Sequence, residues 1–151
     1  MTENKTNILK VAFPNFIREN FYIECGNGWF DLVAEVCQFV ESKSKHIHAQ
    51  QIKEKFGLLR IYFDCDYDEN GEPLTDRDTM EEIYSFINKK ESESKNVCED
   101  CGIKLVEENR AKKEHLGYWI RNICIDCLDR TNREASERLE KKIYKTLKEK
   151  P

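Results

Sequence analysis

The apolar residues of this chain fall into short runs whose spacing changes along the sequence, and each change marks a new element. Phe13, Phe16, Ile17 and Phe21 stand near helical spacing, with Pro14 suited to the first turn of a helix, where a missing N–H costs nothing. A turn follows at Cys25-Gly26-Asn27-Gly28. From Trp29 the apolar positions Leu32, Val33, Val36 and Val40 recur with the helical period. This predicts an amphipathic helix that ends near Lys45, with Asn27 as its cap and Asp31 in its first turn, where the dipole favours an acid.

The period then shortens to two. Residues 46–54 are polar but extended in character. Residues 58–66 alternate, placing Leu59, Ile61, Phe63 and Cys65 on one face and Arg60, Tyr62 and Asp64 on the other. Gly57 punctuates the pair. A loop from Asp66 to Pro73 leads to Thr75-x-x-Asp78, the pattern of a capping box, and to a helix with the stripe Met80, Ile83, Tyr84, Ile87.

Lys89 to Lys95 is polar and patternless, which places a boundary between an α+β body at residues 1–95 and a smaller module at 96–151. In that module Cys98-x2-Cys101 and Cys124-x2-Cys127 are separated by twenty-two residues. Two residues between cysteines make a knuckle that turns both sulfurs to one side, and two such pairs give four thiolates for one tetrahedral Zn²⁺. Gly102 suits the tight turn after the first pair, which needs φ > 0. The stretch between the pairs is expected to form a hairpin, with Tyr118, Trp119 and Ile120 on its returning strand. The second pair runs into Leu128, Ala135, Leu139, Ile143 and Leu147, a long helix supported by the i, i+4 pairs Glu134–Arg138 and Glu137–Lys141. The predicted fold is therefore α+β: helix, strand pair and helix, then a treble-clef-like zinc module and a long C-terminal helix.

Composition narrows the function classes. No apolar run among the 151 residues approaches the ~20 needed for a membrane helix. The N-terminus lacks a secretory pattern, and seven cysteines with four in metal spacing suit a reducing compartment, so the expected location is the cytoplasm. Residues 1–97 carry a net charge of −6 and residues 128–151 a net +3. An acidic body with a mildly basic tail is a poor general-purpose binder of nucleic acid, since phosphate contacts supply most non-specific affinity.

Four thiolates leave the expected zinc no open position, so the site reads as a staple rather than a hydrolytic centre. His46 and His48 could form half of a second metal site but have no third ligand in the sequence, and His115 is superfluous beside four cysteines. Asp66-x-Asp68-x-Asn70-Gly71 matches the first half of an EF-hand loop, but Arg77 stands where the bidentate glutamate belongs, which favours a solvated acidic turn. Cys25, Cys37 and Cys65 read as small apolar residues. The one located binding candidate is a cation-and-aromatic surface. Lys53, Lys55 and Arg60 would share the exposed face of the hairpin, with Trp29 or Tyr62 nearby, to receive a nucleotide or other small anionic ligand. The competing interpretation of these charges is a solvated face that discourages edge pairing.

Cys25-Gly26-Asn27-Gly28-Trp29-Phe30, the Lys53-Glu54-Lys55-Phe56-Gly57-Leu58-Leu59-Arg60-Ile61-Tyr62 stretch, Cys98-Glu99-Asp100-Cys101-Gly102 and Gly117-Tyr118-Trp119 together resemble a family of small uncharacterised phage and prophage proteins. The likeness spans about residues 14–127. Members often carry a second glycine where this chain has Leu58. The resemblance implies an accessory role in a phage or mobile element and no established activity. The favoured reading is a non-enzymatic protein that acts by binding, countering host defence by blocking a host protein or sequestering a nucleotide signal. A nucleic-acid-binding zinc ribbon and an enzyme with a dispersed site are the two alternatives.

Overall fold

The structure, a computed structural model, describes residues 1–112 and 120–148. It is α+β, in the order α1 (Glu3–Ala12), β1 (Ile23–Glu24), α2 (Phe30–Lys43), β2 (Ile47–Lys55), β3 (Leu58–Cys65), α3 (Arg77–Glu93) and α4 (Ile125–Lys148). The sheet has the order β1-β2-β3, with β1 parallel to β2 and β2 antiparallel to β3.

The first helix lies one segment earlier than the periodicity predicts. Phe13 precedes a proline, which disfavours the α region for that residue, and its φ of −136° and ψ of 62° end α1 there. Phe16 and Ile17 are buried all the same, but in an irregular segment whose carbonyl at Phe16 accepts from Ala49 N at 2.8 Å. The periodic stripe of α2 is as predicted: Leu32, Val33, Val36 and Val40 are buried, joined by Cys37. Its start is not capped by Asn27. A 3₁₀ turn over Asn27–Trp29 precedes the helix, and the Asn27 side chain instead accepts from Thr2 N at 2.8 Å.

α2 and α3 lie on one face of the sheet. The core joins their stripes to Ile47, Ala49, Ile52, Leu59, Ile61 and Cys65, and each fully buried Val, Ile or Leu contributes roughly 1.5–3 kcal/mol. A register shift between Ala49 and Gln51 swaps the parity of β2, so Ile47 and Ala49 before it and Ile52 after it all face this core. Stacked rings of Phe39 and Phe86, 4.1 Å apart, extend the contact between the helices. The cap of α3 is Asp76, one residue beyond the expected Thr75. Asp76 accepts from Thr79 N at 2.9 Å, while Thr75 Oγ1 pairs with Ser44 Oγ at 2.7 Å.

The polar stretch at Lys89–Lys95, patternless in sequence, carries regular structure. Residues 89–93 complete α3 and a 3₁₀ turn covers Ser94–Asn96. Ser94 is fully buried, and its hydroxyl accepts from Leu59 N at 3.1 Å. Beyond it come a knuckle, an antiparallel bridge between Arg110 and Cys124, and then α4, in the treble-clef-like order. Tyr118, Trp119 and His115 lie outside the described residues.

Candidate metal centre

Cys98 opens a turn in which Cys98 N donates to Ile103 O at 2.8 Å and Gly102 N to Cys98 O at 2.9 Å. Gly102 has φ of +82°, the left-handed conformation that turn requires. On the other side Ala111 N donates to Ile123 O at 3.0 Å and Ile125 N to Asn109 O at 2.8 Å, which sets Cys124 in an antiparallel bridge opposite Arg110 and Cys127 in the first turn of α4.

The four sulfurs of Cys98, Cys101, Cys124 and Cys127 all lie within 4.8 Å of one another. Cys101 Sγ and Cys124 Sγ are 3.7 Å apart. A tetrahedron with arms of ~2.3 Å has edges of about 3.8 Å, so the donor set fits a metal ion held by four thiolates. The cluster is the one group of this kind among the described residues.

Protein donors reinforce the anionic sulfurs. Cys124 N lies 3.3 Å from Cys98 Sγ, and Arg130 Nη2 lies 3.5 Å from Cys127 Sγ. Burial acts to raise the Cys98 thiol, yet the backbone N–H groups of Cys101 and Cys124 hold it below its ordinary value. Burial and the neighbouring thiols push Cys127 up, and burial raises Cys101. Such crowded thiols ionise together only around a cation. Asp100, bonded to Arg121 at 2.5 Å, ties the knuckle to the segment leading into Cys124.

The knuckle is seated on the body through glycines. Gly28 N donates to Glu99 O at 2.7 Å, and a Cβ on Gly28 would stand 2.1 Å from Cys98 O and 2.4 Å from Gly102 N. A Cβ on Gly26 would stand 2.2 Å from Glu99 O. Trp29 fixes the same seam: its indole N–H donates to Val97 O at 3.0 Å. Asn122 closes it, accepting Glu99 N at its backbone carbonyl at 2.8 Å and donating from Nδ2 to Ser94 O at 2.6 Å. Gly57, at the tip of the β2–β3 hairpin, would place a Cβ 3.3 Å from the Ile120 side chain. The Cys25–Phe30 and Cys98–Gly102 segments thus meet at one seam, and the tip of the Lys53–Tyr62 hairpin rests on residues 120–122 beside it. Sequence spacing could not show this, because the close approaches join residues about seventy positions apart.

The expected cation-and-aromatic surface is only partly assembled. Lys53 pairs in register with Arg60, so both stand on the outer face of the sheet. Lys53 Nζ lies 5.7 Å from the Tyr62 ring centroid and Lys55 Nζ 5.8 Å from that of Phe56. Two members differ from expectation. Trp29 is fully buried at the knuckle seam and offers no face to solvent. Arg60 is engaged by Glu91 Oε2 at 2.7 Å. Sequence reasoning passed over Phe56, which is 70% exposed with φ of +55°. Phe56 and Gly57 both have positive φ, as a two-residue type I′ turn requires, and this turn presents the Phe56 side chain; Gly57 was the one sequence signal of it.

The remaining candidates resolve into local structure. His46 and His48 both face Asp66, at 3.9 and 3.4 Å, and Arg18 bridges His48 and Asp66 at 3.0 Å each. Asp68 caps its own turn, accepting from Asn70 N at 2.8 Å and Glu72 N at 2.9 Å, and these bonds hold its carboxyl below the ordinary range. Cys25, Cys37 and Cys65 are buried; burial pushes the Cys25 thiol up to about 12 and raises Cys37 still further. No helix among the described residues is long and apolar enough to cross a membrane. In comparisons with known proteins, no family model, curated protein or solved structure matches the chain.

Proposed function

We propose that the chain is a zinc-stapled, non-enzymatic binding protein that receives a small anionic ligand, with a nucleotide as the favoured class, on the outer face of its β2–β3 hairpin. The carrying observation is the pairing of cations with exposed aromatic rings there: Lys53 with Tyr62 and Lys55 with Phe56. A nucleobase can stack on such rings while lysines meet its phosphates, and stacking alone is worth ~1–3 kcal/mol per base. Phe56 holds a backbone conformation unusual for a bulky residue, and strain of this kind clusters where a side chain is presented for a purpose. Zinc is the metal that four thiolates in a tetrahedral arrangement favour, and a full donor set supports a staple rather than a reaction centre. Thiolate ligation suits the reducing cytoplasm.

The resemblance of these motifs to those of phage and prophage proteins supports an accessory role in a mobile element, with sequestration of a nucleotide signal as the means of countering host defence. Blocking a host protein through the same face is the second interpretation, favoured by the exposure of Phe56 and Tyr62. A thermal-shift screen of mono-, di- and cyclic nucleotides, followed by mass analysis of compound released on denaturation, tests the first. Stabilisation by one nucleotide class, returned unmodified, is expected. It should be lost in Lys53→Ala, Lys55→Ala, Phe56→Ala and Tyr62→Ala without a fall in melting temperature. No stabilisation by any nucleotide, with a host protein captured by wild type and lost with Phe56→Ala, would replace it by the second interpretation.

A further inference from the structure

We propose that α4 pairs antiparallel with α4 of a second copy of this chain. Ile125, Leu128, Asn132, Ala135, Leu139 and Ile143 follow the helical period and share one face over most of its 24 residues, a length of about 36 Å. Leu128 is covered by the chain's own metal module, but Leu139 and Ile143 are 58% and 51% exposed. Among the described residues no other helix or strand makes an extended contact with α4. A soluble helix with such a stripe gains stability by covering it.

Charge selects the occupant and its direction. Residues 125–137 carry four acidic and two basic side chains, a net of −2, while residues 138–148 carry five basic and one acidic, a net of +4. A parallel pair would set basic half against basic half and Lys142 against Lys142. An antiparallel pair sets each acidic half against a basic one. The base of α4 is shaped for that arrangement. A groove of about 410 Å³ there is lined by Lys112, Ile125, Leu128, Asp129 and Asn132. The second copy's Ile143 would meet Ile125 and Leu128 in it, with Lys142 beside Asp129. Ala135, near the middle of the stripe, lets two helices approach closely at the crossing.

Sedimentation of the zinc-loaded full chain from low to high micromolar concentration tests the pairing. A concentration-dependent monomer–dimer equilibrium is expected. Leu139→Glu and Ile143→Glu should each weaken it at least tenfold, and the melting temperature measured at low concentration should not move, because both side chains are exposed in one copy. Replacing Ile143 by a photo-crosslinking phenylalanine analogue reads the direction. Adducts on residues 125–132 of the other copy are expected. A monomer throughout the range, 143-to-143 adducts, or binding of the stripe to anionic vesicles in place of self-association would each overturn the proposal.

Discussion

A methyl group on Gly28 would stand 2.1 Å from the carbonyl oxygen of Cys98, so the loop before α2 and the metal knuckle approach as closely as two backbones can. Gly28 donates no ligand, yet the position of the first cysteine pair depends on it. Gly28→Ala should therefore lower metal content and cost on the order of 3 kcal/mol or more, because the obstacle is backbone and cannot rotate away. Gly71→Ala is the control. Gly71, unlike Gly28, has positive φ, +83°, but faces open space, so only the conformational penalty of roughly 1–2 kcal/mol applies and metal content should be unchanged. Metal analysis and denaturant unfolding of both variants read the difference.

Metal loss should be felt inside the body. Trp29 is buried and its indole N–H is bonded to Val97, the residue before the first ligand. Chelation, or Cys124→Ser, removes a contribution on the order of 10 kcal/mol from the knuckle. In a Trp119→Phe background, leaving Trp29 as the reporter, its emission should shift to the red as the seam opens. Emission that stays put while zinc leaves would show that knuckle and body are independent.

Arg60 and Lys53, neighbours in register, should behave differently when truncated. Glu91 pairs with Arg60 and also accepts Ile61 N at 2.8 Å, and its side chain is only 13% exposed. Arg60→Ala leaves this carboxylate without its cation and should cost on the order of 1–3 kcal/mol. Lys53→Ala should stay within about 0.5 kcal/mol. Equal melting temperatures for the two variants would contradict this assignment.

Glu99 supplies a pH dependence. Burial raises its carboxyl above the ordinary value of 4.5, with Glu54 and Asp100 adding to the rise and Arg121 opposing it. Oε1 accepts from Gly26 N at 3.2 Å, while Oε2 is buried with no partner among the described residues. The unfolded chain releases this proton first, so the folded state loses stability as pH rises from the ordinary value through the raised one. Glu99→Gln removes that loss. At saturating zinc, the variant's melting temperature relative to wild type should climb over this window and then level off; a pH-independent difference would refute the assignment.

What the sequence made legible was local. The stripe of α2, the alternation of β3 and the spacing of the four cysteines each depend on neighbours within a few positions, and each appears in the fold. The helix α1 was missed because only Thr6 and Leu9 of its ten residues are buried, too few to write a periodic signal. The burial of Trp29 and the ion pair of Arg60 escaped the local pattern for one common reason. Their partners, Val97 and Glu91, lie 68 and 31 residues away, and nothing in a local pattern announces them.

The way α3 ends against β3 sets how any partner can approach the sheet. The outward amides of Leu59 and Ile61 are taken by Ser94 Oγ and Glu91 Oε1, and that of Cys65 by Asp64 Oδ1. On the far side β2 already gives Ala49 N to Phe16 and pairs with β1. A visiting strand would find these donors already spent on the chain itself. Where these donors are spent, recognition falls to side chains: a partner is chosen there by ring and charge, and main-chain pairing, the least discriminating form of protein adhesion, has less to hold.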